Sequence, residues 1–148
     1  MIMLDTNIIY NFLFETKLTD IAESIIRKYY KEGLVISIII VNELLYVVGA
    51  KVAQEEYGIK GRYSFRKIVS KHGYPNKAMS MIKNFIKDFK VIIISDFQNY
   101  EELIETIKAY KLMPSDAQIA ITCKYYRIKT IATFDEDFKR VPWLRVIP

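Results

Sequence analysis

The chain reads as an α/β domain whose parallel sheet is covered on both faces, and three observations lead there. Short β-branched runs alternate with helical patterns from end to end, the arrangement of βαβ units. The runs are continuously apolar, as strands buried on both sides are. A composition of 51% hydrophobic and 14% aromatic residues, with only 5 Gly and 4 Pro in 148 residues, supplies a core and excludes a disordered or fibrous chain. At this length a single domain spanning residues 1–148 is expected.

The strands are expected at Ile2 to Leu4, Leu34 to Ser37, Val91 to Ile94, Lys129 to Thr133 and, as a short last one, Leu144 to Ile147. Between the first two, Ile21, Ala22, Ile25, Ile26 and Tyr29 recur at helical spacing, with Thr19 placed as N-cap and Gly33 just past the end. A longer, more apolar helix is expected from Ile39 to about Glu56, deeply buried at its start and ended by Gly58. Ser64 and Asn76 are candidate caps of two further helices, the second with Ala78, Met79, Ile82, Phe85 and Ile86 on one face. Leu103, Ile104 and Ile107 mark a helix before Pro114, and Ser115 is placed to cap one running to about Tyr125.

Charge and cysteine usage narrow the function. The net charge of +5 is local: between Lys51 and Lys90 ten basic residues face three acidic ones, giving this helical segment (about 51–90) +7 and the rest −2. A basic lobe beside acidic clusters suits a protein that attracts a polyanion and holds cations elsewhere, although a solvated lysine-rich surface has the same composition. One cysteine, Cys123, and one histidine, His72, exclude an internal disulfide and a Cys/His zinc site within the chain, so any metal needs oxygen ligands. His72, beside Gly73, reads as a surface residue and leaves a Ser-His-Asp hydrolase poorly supported. The opening Met-Ile-Met-Leu-Asp lacks the basic and apolar regions of a secretory leader, and Leu34 to Ala50 is shorter than the roughly 20 residues of a membrane span, with Glu43 inside it. A cytoplasmic protein with no membrane partner is expected.

The acidic residues fall at telling places. Asp5 follows the first strand and Asp135 the fourth, both at carboxyl ends, where an open parallel sheet binds ligands. The lesser reading of either is a helix cap or an Asx-turn. Glu43 stands within Ile38-Ile39-Ile40-Val41-Asn42-Glu43-Leu44-Leu45-Tyr46-Val47-Val48, a helix apolar almost all round, where a carboxylate should be neutralised, salt-bridged or bound to a cation. Asp116 follows Ser115 in the first turn of its helix, a position the helix dipole alone would favour. Two strand ends, a helix start and a helical glutamate meet only at the top of the sheet. Carboxylates gathered there repel one another unless divalent cations lie between them, and all-oxygen ligation favours Mg²⁺ or Mn²⁺.

These blocks resemble a known family. Leu-Asp-Thr-Asn at the N-terminus, Asn-Glu in the second block, Ser-Asp-Ala-Gln-Ile-Ala in the third and Thr-Phe-Asp-Glu-Asp-Phe near the end resemble the PIN domain, which includes the VapC-type toxins of toxin–antitoxin pairs. The resemblance covers nearly the whole chain and implies a three-layer α/β/α sandwich around a parallel sheet of four to five strands. It further implies a Mg²⁺- or Mn²⁺-dependent endoribonuclease, with Asp5, Glu43, Asp116 and Asp135 as catalytic metal ligands and products ending in a 5′-phosphate and a 3′-hydroxyl. Asn7 and Thr133 match supporting polar positions, with Asp137 as an auxiliary candidate. An RNA substrate, a cognate antitoxin and a homodimer are the partners implied, and the many tyrosines, among them Tyr29, Tyr30, Tyr125 and Tyr126, permit a dimer. The interval from Glu43 to Asp116 is longer than in the compact toxins, and its added helices can cover the site, grip RNA or replace the surface an antitoxin clasps.

Within that interval Lys51, Lys60, Arg62, Arg66, Lys67 and Lys71 are candidate phosphate contacts, with Tyr57, Tyr63, Phe65 and Tyr74 among them as stacking surfaces for single-stranded RNA. The other reading makes the aromatics core and the lysines solvated. Two further functions stay open. Leu-Asp-Thr-Asn is similar to the nucleophile loop of haloacid-dehalogenase-like phosphohydrolases, but Asn7 stands where their second Asp is expected and Glu43 is left unexplained. A non-catalytic RNA-binding module on the same fold would need lost ligands, and all four acids are present.

Overall fold

The computed structural model describes residues 1–58 and 61–148, with side chains throughout except at 62 and 63. Five strands form one parallel sheet in the order β3-β2-β1-β4-β5: β1 (Ile2–Leu4), β2 (Leu34–Ser37), β3 (Ile92–Ile94), β4 (Thr130–Ala132) and β5 (Arg145–Ile147). Met3 lies between Val35 on one side and Ile131 on the other, which sets β1 at the centre. Seven helices are described: α1 (Thr6–Leu13), α2 (Thr19–Tyr29), α3 (Ile38–Tyr57), α4 (Arg62–His72), α5 (Asn76–Asp88), α6 (Tyr100–Tyr110) and α7 (Pro114–Tyr125). From β1 to β3 the chain steps outward in one direction and from β3 to β5 it returns in the other. With right-handed crossovers, α1–α5 therefore cover one face and α6 and α7 the other, giving the three layers.

β1 and β2 are buried along their whole length, and Ile2, Met3, Leu4, Val35, Ile36, Ile131 and Ala132 meet Ile8, Ile26, Ile40, Leu44, Ile119 and Phe138 in one core. The expectation that every strand is buried on both faces fails at β3, where Ile92 and Ile93 are each 45% exposed. β3 is an edge of the sheet, so it has a neighbour on one side only. Among the described residues no helix is long and apolar enough to cross a membrane.

The helices sit where their periodicity puts them, but several caps differ. Thr19 is the first residue of α2 rather than its cap, and its hydroxyl instead accepts from Thr16 N and donates to Phe14 O. Gly61 and Pro75 precede α4 and α5, so Ser64 lies inside the first helix and Asn76 opens the second. At α7 it is Met113 that caps and Pro114 that occupies the first turn, where its missing N–H costs nothing, which moves Ser115 inward. The sequence pattern places no hydrophobic helix face over α1, although a helix cap is one reading of Asp5. The helix starts directly after Asp5, with Ile8 and Ile9 buried beneath it.

The long helix α3 is less buried than its composition suggests. Ile38 is 44% exposed and Tyr46 40%, and Asn42 joins them on the outer side. Its face toward the core carries Ile40, Leu44, Val48 and Val52, and Gly49 lets the Tyr74 and Phe65 rings come close to its backbone. Asp96, in the loop after β3, caps α3 from a distance, its Oδ2 accepting from Ile39 N at 3.0 Å.

Candidate active site

The site is built at the carboxyl ends of β1 and β4 and the starts of α1 and α7. Asp5 leaves β1 and caps α1, accepting from Thr6 N through Oδ1 at 2.7 Å. Its Oδ2 accepts from Asn7 Nδ2 at 2.7 Å and from Thr133 Oγ1 at 2.5 Å. Both readings of Asp5 therefore hold, since capping the helix is what aims its carboxylate. An ionised carboxylate has about four acceptor sites. Three of those on Asp5 are taken from within the chain, and the remaining one belongs to Oδ1.

Asn7 and Thr133 stitch the two strand ends together. The Asn7 amide donates to Asp5 and to Thr133 Oγ1 and accepts from Phe134 N, while Thr133 Oγ1 also accepts from Asp135 N at 2.9 Å. With Asn7 so committed and uncharged, the position has no proton to give as a phosphohydrolase acid. Asp135 caps the following 3-10 turn, accepting from Asp137 N at 2.8 Å. Glu43 projects from α3 and accepts from Thr6 Oγ1 at 2.6 Å. It is half-buried rather than enclosed, because α3 is open on its outer side, and none of the ion pairs among the described residues involves it.

Asp5, Glu43, Asp116 and Asp135 line one cavity of about 610 Å³. Burial, with the charges of Glu43 and Asp135, raises Asp5 from 3.8 to about 6 against the pull of its Thr133 and Thr6 hydrogen bonds. Burial, followed by the charges of Asp5, Asp135, Glu43 and Asp137, raises Asp116 to about 7. Four acids from four elements thus sense one another across one space, with Lys51 the one basic residue among the described residues lining it. Among the described residues no three acidic side chains stand close enough to enclose an ion as they are. The donor set nevertheless fits a hard divalent cation: all oxygen, net negative, and repelling itself in the cation's absence.

The remaining candidates divide. Asp137 does not line the cavity, and its carboxylate is paired with Arg140 at 2.5 Å, the arrangement of a solvated turn residue. Lys51 faces the cavity, whereas Arg66 and Lys67 are exposed on α4. Lys60 lies outside the described residues, as do the side chains of Arg62 and Tyr63. Of the aromatics singled out with them, Phe65 is buried and Tyr74 donates to Leu45 O, so both are packing residues, while Tyr57 stacks on the exposed His72. Of Tyr29, Tyr30, Tyr125 and Tyr126 only Tyr125 is exposed. Thr6 is the site residue the sequence reading passed over. Its signal was the Asp-Thr-Asn start of an apolar helix, with Asp as cap.

The sheet order and the acidic cavity define a class of protein, and the chain belongs to the PIN domain family, whose model matches residues 2–144. Among curated proteins it is similar to Ribonuclease VapC6 of Methanocaldococcus jannaschii, 32% identical over 85% of this chain and 84% of that protein. It is similar also to Ribonuclease VapC2 of the same organism, 32% identical over 99% of this chain and 92% of that one. Among solved structures its fold matches a chain of VapBC2 from Rickettsia felis bound to a DNA fragment from their promoter, with a TM-score of 0.67 and 24% identity over 99% of this chain and 98% of that one.

Proposed function

We propose that this chain is a divalent-metal-dependent endoribonuclease that hydrolyses RNA phosphodiester bonds and serves as the toxin of a cytoplasmic toxin–antitoxin pair. The observation that carries the reading is the cavity on which Asp5, Glu43, Asp116 and Asp135 converge, with burial and mutual repulsion lifting Asp116 to about 7. The two relatives named as VapC ribonucleases support the choice of RNA and of an antitoxin partner. A homodimer belongs to the same reading.

Asp5, Glu43, Asp116 and Asp135 would hold one or two Mg²⁺ or Mn²⁺ ions, with Asn7 and Thr133 supporting Asp5. Bound there, the metal supplies Lewis acidity and a water of lowered pKa. The chain's own contribution is orientation. Asn7, Thr133 and Thr6 N fix the Asp5 carboxylate, and Thr6 Oγ1 holds Glu43, so these acids do not have to be ordered when the substrate arrives. Lys51 on the cavity wall and the exposed Arg66 and Lys67, with Lys60 and Arg62 of the same segment, attract the phosphate backbone. Asp137, tied to Arg140, contributes through its charge on Asp116.

The test is cleavage of a mixed structured RNA with Mg²⁺, Mn²⁺ or EDTA, beside the Asp116→Asn variant. Metal-dependent cutting that the variant loses is expected. Equal cutting by the variant, or in EDTA, would overturn the assignment.

A further inference from the structure

Beyond the carboxylates the cavity changes character, and that half is not used by metal chemistry. On α3, Glu43, Val47, Ala50 and Gln54 follow at helical spacing and share one stripe, with Tyr46 and Ala53 beside it. At 1.5 Å per residue the stripe runs about 16 Å away from the acidic end. Tyr46 is 40% exposed and meets Phe65 of α4 with centroids 5.8 Å apart and planes at 74°, an edge-to-face contact that braces it. Ala50 and Ala53 are too small to fill the space between Tyr46 and Gln54. The Gln54 amide, with donors and an acceptor, lines that space and makes no hydrogen bond among the described residues. Lys51 adds a cation, 3.9 Å from the Glu55 carboxylate.

We infer that this half of the cavity is a subsite for one unpaired nucleobase, the base beside the phosphate placed at the carboxylates, with Tyr46 as its stacking surface and Gln54 as the group reading its edge. The inference rests on the nuclease reading above. A braced aromatic ring, a planar amide and a cation, continuous with the acidic end, match a base, its edge and its phosphate in turn. A base enters such a recess only when it is out of a duplex stack, so the substrate at this point is single-stranded or splayed. Tyr46 is a specificity residue that binds and does not react.

The test uses the Asp116→Asn protein, titrated with a fluorescein-labelled single-stranded RNA of about twelve nucleotides and with its duplex, alone and combined with Tyr46→Ala, Tyr46→Phe or Gln54→Ala. The single strand should bind more tightly than the duplex. Tyr46→Ala should weaken it about tenfold, the size of one lost base–aromatic stack, and Tyr46→Phe should bind within about twofold of the parent. Gln54→Ala should change the ranking among the four homopolymers rather than lower all equally. No binding of the single strand, a Tyr46→Phe loss as large as that of Tyr46→Ala, or unchanged affinity in Tyr46→Ala overturns the subsite, and the last outcome leaves the groove to a protein segment. Cleavage by the unaltered chain in Mn²⁺ is scored separately. Cutting with Tyr46-independent binding removes the subsite alone, and Tyr46-dependent binding without cutting removes the nuclease reading alone.

Discussion

Replacing Asp116 with Asn should make the metal-free protein more stable at pH 8 while removing its proposed activity. The Asp116 carboxyl is raised from 3.8 to about 7, so between those values the folded chain holds a proton that the unfolded chain has lost. Stability therefore falls as pH rises through this window, and above it the fold carries an ionised carboxylate among three others. At about 1.4 kcal/mol per pH unit the full cost is about 4 kcal/mol, and solvent around the half-buried group screens it to about 1–2 kcal/mol. The benefit of an anion in the first turn of α7, about 0.3–1 kcal/mol, opposes this and is smaller. Urea unfolding in EDTA should show the variant ahead by about 1 kcal/mol at pH 8 and level with the parent at pH 4. Saturating Mn²⁺ should reverse the order, because a ligand at 100 times its Kd adds about 2.7 kcal/mol to the protein that binds it. A variant no more stable than the parent in EDTA at pH 8, or equally stabilised at pH 4, would refute the repulsion argument.

Three further outcomes are expected. Mn²⁺ affinity, followed by calorimetry, should rise from pH 5 to pH 8 as Asp5, near 6, and Asp116, near 7, lose their protons; a flat profile would remove them as ligands. Thr133→Val should cost about 1–3 kcal/mol in urea, since Asp5 loses a donor and Asp135 N an acceptor, and should weaken Mn²⁺ about 10–100-fold; native-like binding would show that the hydroxyl does not orient Asp5. Gly49→Ala should destabilise by about 1–3 kcal/mol, because the added Cβ would lie 2.7 Å from the Tyr74 ring and 2.8 Å from that of Phe65; an unchanged urea midpoint would mean that α4 and Tyr74 shift freely.

Much of this was legible because strands and buried helices have strong periods. All five strands and the hydrophobic faces of α2 and α5 follow from runs such as Leu34 to Ser37 and from the spacing of Ala78, Ile82 and Phe85. The four acids could be placed at one edge because a parallel sheet has only one carboxyl end. What was not legible depends on packing. α1 was less legible because Asp5 can close an Asx-turn as well as cap a helix, and the same Asp both ends a strand and starts the helix. The exposure of Ile38 and Tyr46 on α3, and of Ile92 and Ile93 on β3, follows from which elements lie at the edges, which composition does not encode. The caps moved because Met113 and Pro114 outcompete Ser115, and Gly61 and Pro75 precede Ser64 and Asn76.

The hydrogen bond from Thr133 to Asp5 joins residues 128 apart in the chain, and β1 pairs with β4 across nearly the same interval. Order of synthesis then matters. A growing chain makes Asp5 and Glu43 early, but one flank of β1 stays open and Asp5 lacks its Thr133 partner until β4 and Thr133 arrive. Truncated or interrupted products ending before β4 contain neither Thr133 nor Asp135. The four-acid cavity is therefore closed only once the chain has passed β4, whatever order its earlier elements fold in.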